Sequence, residues 1–132
     1  MDPIRKVGVR GDAAAIAKNL TSWLEQRQII VYRVVHHTED MRARNIEPPV
    51  DAWTIIFGNP ALGSAFLADS PASVVDIPLR IGLYQATADE TIVVTRTFEA
   101  LLGDHNSDSL PQKARKADDL VELWLTSLDR VQ

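Results

Sequence analysis

The tetrapeptide Phe57-Gly58-Asn59-Pro60 constrains the fold of this chain more than any other stretch. It follows Trp53-Thr54-Ile55-Ile56, aromatic and β-branched residues of the kind that form strands. An asparagine side chain accepts a hydrogen bond from a free helix N–H, and proline presets the helical φ at the first helical position, where its missing N–H costs nothing. Gly58 permits either an unusual backbone angle or a close approach by a neighbour. The stretch therefore predicts a strand over Trp53–Phe57, with Trp53, Ile55 and Phe57 sharing a face. That strand passes directly into a helix from Pro60 to about Ala68 that buries Leu62, Ala65 and Phe66.

The same rules parse the rest of the chain. Arg5–Arg10 reads as a short strand. Asp12 is placed to cap a helix over Ala13–Gln26, whose apolar stripe is Ile16, Leu20, Trp23 and Leu24. Ile29–His37 is the strongest strand. Alternation puts Ile30, Tyr32, Val34 and His36 on one face and Ile29, Val31, Arg33, Val35 and His37 on the other. Both faces are largely apolar, so a helix is expected over one and a ligand or second subunit over the other. Glu39–Asn45 is polar, a short helix or a loop that Asn45 could end in a left-handed conformation. Ser70–Val75 reads as a loop, Leu79–Gln85 and Thr91–Thr95 as a hairpin, and Phe98–Leu102 as a helical turn. Gly103–Pro111 is loop by composition. A last helix over Gln112–Arg130 buries Ala117, Leu120, Val121, Trp124, Leu128 and Val131, and leaves Asp118, Asp119, Glu122 and Asp129 mostly in water. Strands clustered between two long helices predict an α+β domain over residues 1–132, with an antiparallel or mixed sheet and helices on one face.

Composition narrows the function classes. The chain has no cysteine, which rules out disulfides, a thiolate nucleophile and cysteine-ligated zinc or iron–sulfur centres, and fits a cytoplasmic protein. A net charge of -4 argues against a general nucleic-acid binder. No apolar run is long enough for a membrane span, and the first dozen residues carry no apolar core of the signal-peptide kind. Ser64, in Leu62-Gly63-Ser64-Ala65-Phe66, does not match the nucleophile elbow of hydrolases, and there is no phosphate loop or dinucleotide fingerprint.

The run from Ile55 to Gln85 resembles the hallmark stretch of the domain of unknown function 302 family. The matching positions are Phe57, Gly58, Asn59, Pro60 and Gly63, then Asp76-Ile77-Pro78-Leu79-Arg80 leading into the next strand. The resemblance implies a β-α-β-β-β-β-α core of the TATA-box-binding-protein-like type, often dimeric, and no established reaction. The chain departs from the family where a Tyr-Asn-Asp-Pro-like stretch is usual, having Arg96-Thr97-Phe98-Glu99 instead. The family's histidines fall near His36 or His37 and near His105.

Three sets of residues are candidates for function. The Gly58-Asn59 junction, with Gly63 one turn later, would offer an anion site at a helix N-terminus; its plainer role is a well-made strand-to-helix turn. Arg33 and Arg80, if they share the open face, would form a cationic patch beside Tyr84 suited to an anionic small molecule. His36 or His105 would be the acid–base group of an enzyme; if the strand runs through both, adjacent His36 and His37 point to opposite faces and are not expected to ligate one ion together. No cofactor or metal is expected. The favoured expectation is a non-catalytic module that binds a small ligand or partner as a homodimer. The alternatives are an enzyme using His36 or His105 near an anion site at Asn59, and a purely structural or assembly domain.

Overall fold

A computed structural model describes residues 4–105 and 107–131. Five strands, β1 (Ile4–Arg10), β2 (Ile30–His36), β3 (Ala52–Gly58), β4 (Leu79–Thr87) and β5 (Glu90–Arg96), form one sheet in the order β1-β5-β4-β3-β2. All four pairings are antiparallel. The helices are α1 (Ala13–Gln26), α2 (His37–Arg42), α3 (Pro60–Asp69), α4 (Phe98–Leu102) and α5 (Ser109–Thr126). The long helices α1 and α5 with the five strands reproduce the expected β-α-β-β-β-β-α order, and the sheet is antiparallel rather than mixed.

The core lies between the sheet and the helices. Its sheet side is Val9, Ile55, Phe57, Leu79, Ile81, Leu83 and Val93; its helix side includes Ile16, Leu20, Leu24, Val121, Trp124 and Leu125. Asp12 caps α1 as its sequence predicts, accepting from the Ala15 N–H at 2.8 Å. Trp124 is fully buried and donates its indole N–H to Asn19 Oδ1 at 2.8 Å, which ties α5 to α1. Gln85 and Thr91 pin the β1–α1 connection to the hairpin: Gln85 Oε1 accepts from the Ala13 N–H at 2.7 Å, and Thr91 Oγ1 donates to the Gly11 carbonyl at 2.9 Å.

Several elements differ from the sequence expectations. β2 has a bulge between Val31 and Arg33, so strict alternation fails. Residues directly opposite each other across antiparallel strands point the same way. Val31 faces Phe57 toward the core, and Arg33 faces Ile56 on the open side. Beyond the bulge Val34 and His36 turn toward the helices, opposite Ile55 and Trp53, and Val35 joins Arg33 on the open face. Tyr32 is 51% exposed and is not a core residue. β2 also ends at His36, because His37 opens α2; Asn45 does adopt a left-handed φ of 58° after that helix.

The Ser70–Val75 segment is a 3-10 turn over Pro71–Asp76 instead of a loop. α5 begins at Ser109, three residues before the expected start, since Pro111 falls in its first turn, where a proline breaks no hydrogen bond. α5 ends at Thr126. The residues after it pair along the outer edge of β1: Arg10 N–H donates to Asp129 O and Val131 N–H to Gly8 O, both at 2.8 Å. Asp118 is not a solvated residue. It reaches across to α4, whose own Thr97 makes no side-chain cap, and accepts from the N–H groups of Phe98 at 2.7 Å and Glu99 at 3.0 Å. Burial pushes the Asp118 carboxyl up, more than these two backbone donors and its acidic neighbours alter it. Glu122 is likewise engaged, by Arg5 and Arg130.

Candidate functional site

The β3–α3 junction is built as its residues dictate. Phe57 is buried edge-to-face against Phe98, with ring centroids 6.3 Å apart. Gly58 is needed for close approach and not for a left-handed angle: a Cβ there would lie 3.0 Å from Tyr32 Cε2, so the absence of a side chain lets the tyrosine ring lie on the backbone. Asn59 is the N-cap, its Oδ1 accepting from the Ala61 N–H at 2.9 Å, with Pro60 in the first helical position. Gly63 faces open space.

Hollows flank this junction on both sides. One of about 590 Å³ lies between α3 and α5, lined by Asn59, Leu62 and Ala65, by Phe57 and Leu79 of the sheet, and by Lys116 and Leu120. A smaller one of about 250 Å³ lies toward Tyr32 and Gly63, with Ile77 and Pro78 beyond. Leu62 and Ala65 are therefore only half-buried, where the helical pattern predicted core positions.

The open face of the sheet carries a row of cations. Arg33 pairs in register with Ile56, and Ile56 with Arg80. Gly82 pairs with Val94, and Ile4 with Arg96, which brings Arg96 beside Arg80 in the same row. At the usual spacing of neighbouring strands, Arg80 and Arg96 stand about 5 Å apart at the backbone and Arg33 and Arg80 about 10 Å apart. Lys6, opposite Val94, adds a fourth cation on this face. Among the described residues none of the four has an ion-pair partner, although Arg5, Arg10, Lys113, Arg115 and Arg130 all do. Tyr84 is on the same face but pairs with Ala52, four residues along β4 from Arg80. That separation is about 13 Å, so Tyr84 does not sit beside the arginines. Sequence reasoning missed Arg96, which it placed just past the strand end, and Lys6. Extending β5 to Arg96 was the step that would have found the row.

Asp76 shares a hollow of about 290 Å³ with Arg80 and Arg96. Its Oδ2 lies 2.5 Å from His105 Nε2, so the carboxylate is bound by the histidine and not by the arginines. The other two histidines are also engaged locally. His36 stacks on Trp53, ring centroids 3.7 Å apart and planes within 9°, and its Nε2 is 2.7 Å from Asp51 Oδ1. His37 Nε2 is 2.8 Å from Thr54 Oγ1. His36 lies on Trp53 on the helix side of the sheet and His37 bonds Thr54 on the open side, although His37 belongs to α2 and not to the strand from which that alternation was expected. Burial works against the charge on Asp51. It is outweighed by hydrogen bonds from His36 and Thr38 and by the neighbouring Trp53 N–H, which completes no hydrogen bond of its own, and the carboxyl is held below its usual range. None of the three histidines lines either hollow beside Asn59. His36 is at the opposite end of β3 from that junction, opposite Trp53. The structure therefore does not bring a histidine and the α3 N-terminus into one site. Among the described residues no three His, Asp or Glu side chains converge as metal ligands would, and no helix is long and apolar enough to cross a membrane.

These features define a two-layer α+β protein: a five-stranded antiparallel sheet with helices on one face and a partly cationic open face on the other. The chain belongs to the family described as domain of unknown function DUF302, whose model matches residues 5–125. This is the family that the Phe57–Pro60 and Asp76–Arg80 segments resembled. The crystal structure of an uncharacterized conserved DUF302 protein from Bacillus stearothermophilus is similar, with a TM-score of 0.85 over 96% of this chain and 98% of that one, at 17% sequence identity. At that identity the likeness concerns the fold. No curated protein matches the chain.

Proposed function

We propose that this protein is a non-catalytic binding module that takes an anionic small molecule on the open face of its sheet. The observation that carries the reading is the register Arg33–Ile56–Arg80, continued by Arg96, which sets three arginines in one row without carboxylate ion-pair partners among the described residues. Guanidinium groups bind carboxylate and phosphate oxygens through paired N–H donors, and three on neighbouring strands can close on a ligand with more than one anionic group. Ile56, between two of them, offers an apolar contact for the part of the ligand that joins those groups. The row spans only four strands, which suits a small molecule.

Isothermal titration with inorganic pyrophosphate and with citrate tests this. Saturable binding to at least one is expected, weakening as salt is raised and falling about tenfold or more in Arg80→Ala and in Arg33→Ala. Unchanged affinity in both variants, or no saturable binding to either probe, would refute it.

Self-association is a second reading, supported by a separate observation. β2 is an edge strand with no outer partner among the described residues, and its Ile30, Tyr32 and Val34 are 41%, 51% and 38% exposed. A homodimer across that edge would cover them. Sedimentation showing a clean monomer at micromolar concentration would remove this reading and leave the anion site standing.

A further inference from the structure

We propose a second ligand site on the other side of the sheet: the cleft between α3 and α5 binds a free medium-chain carboxylate. Its volume of about 590 Å³ falls within the range of small-molecule sites. The floor is apolar, formed by Ile29, Phe57 and Leu79 at one end of the sheet. The walls are Leu62 on α3 and Leu120 on α5, and both remain half-buried although they pack against the core. The helices do not close over the space because the residues they set toward it are short: Ala61 and Ala65 on α3, Ala117 on α5. An apolar cleft left open in this way forfeits the contacts that a packed interior would make, and an apolar chain restores them.

Charge selects the head group. Arg27, Lys113 and Lys116 line the cleft, and no Asp or Glu does, in a chain whose net charge is -4. Lys113 is already held by Asp69 at 2.7 Å. Arg27 lies over the Trp23 ring, 3.6 Å from its centroid, and spends one donor on the Trp23 carbonyl. Lys116 has no partner among the described residues. A carboxylate at the mouth would therefore meet one fixed guanidinium and one free ammonium. Asn59 adds an amide whose Oδ1 is committed to Ala61, leaving its NH₂ to donate. Length is set by α5: from Lys113 to Leu120 the helix rises about 10 Å, enough for a medium acyl chain and short for a long one.

Decanoate, decanol and acetate are the probes, read by ¹H–¹⁵N amide shifts and by titration calorimetry. Decanoate is expected to shift amides around residues 58–65 and 113–120 saturably, decanol to bind more weakly, and acetate not to bind. Lys116→Glu, an exposed change, should weaken decanoate about tenfold and leave decanol unchanged. Ala61→Trp, on the exposed first turn of α3, should block both chains without lowering the melting temperature. Arg80→Ala should leave decanoate binding as it was, which separates this site from the open face of the sheet. The proposal is overturned if decanoate produces no saturable shifts, or if its shifts map to the open face and disappear in Arg80→Ala. Wild-type binding by both Lys116→Glu and Ala61→Trp overturns it as well, and decanol binding as tightly as decanoate overturns the anionic head.

Discussion

Truncating Trp124 to alanine tests the assignment of α5 as the main wall of the core. The side chain is fully buried, and its single polar atom is satisfied by Asn19 Oδ1 at 2.8 Å. Removing a buried aromatic ring of this size costs about 3–5 kcal/mol through lost transfer energy and the cavity left behind. The hydrogen bond contributes little of this, because Asn19 is exposed and its amide returns to water when the indole is gone. Asn19→Ala should therefore cost only about 1 kcal/mol or less, and Trp124→Phe should fall between the two single changes. For a chain of this length each kcal/mol moves the melting temperature by roughly 3–5 °C, so Trp124→Ala should melt about 10–20 °C lower. Calorimetric melting of the three variants, with urea midpoints as a check, supplies the numbers. A loss below about 1 kcal/mol for Trp124→Ala would refute the reasoning. So would Asn19→Ala costing as much as Trp124→Ala, because the energy would then lie in the polar link and not in packing.

Two further outcomes are expected. At the β3–α3 junction, Asn59→Ala should cost about 1 kcal/mol because the Ala61 N–H loses its cap, while Pro60→Ala should cost clearly less, since proline only pre-organises the first turn; urea melts of both distinguish them. Asp51, whose folded pKa is depressed, contributes stability that is present above the ordinary carboxyl value near 4 and is lost as pH falls through the lower folded value. The urea midpoint should drop between about pH 5 and pH 3, and Asp51→Asn should flatten that part of the profile; an unchanged profile in the variant would assign the acid sensitivity elsewhere.

The parts of the fold that were legible are those whose signal is local. The strand, glycine, asparagine and proline of the β3–α3 junction are consecutive, and Asp12 stands immediately before the helix it caps. The hidden parts depend on contacts between residues far apart in the chain. Periodicity along α5 assigns Asp118 to the wet face. Its true role comes from the start of α4, where Thr97 provides no side-chain cap and a carboxylate 20 residues away replaces it. Pro111 reads as a loop residue until the helix start is known to precede it. Ala65 and Ala117 read as core positions, and only the separation of two helices leaves them lining a cleft.

The bulge at Tyr32 links the hidden parts of the site to the legible ones. With strict alternation Arg33 would face the same way as Val31, which packs against the core, and a guanidinium there would be stripped of water with no carboxylate to receive it. One extra residue in the strand reverses the side chains that follow it. Arg33 turns out to stand in line with Ile56 and Arg80, and His36 turns in to stack on Trp53. The residue left over is Tyr32, and it needs room on the open face. Gly58, paired with Ile30 and so diagonal to Tyr32, supplies that room: a Cβ there would lie 3.0 Å from the tyrosine ring and press on it. The glycine of the Phe57–Pro60 turn, whose sequence context allowed either an unusual backbone angle or a close approach, therefore acts through its missing side chain. It accommodates the tyrosine of the bulge, and the bulge is what puts Arg33 in the row.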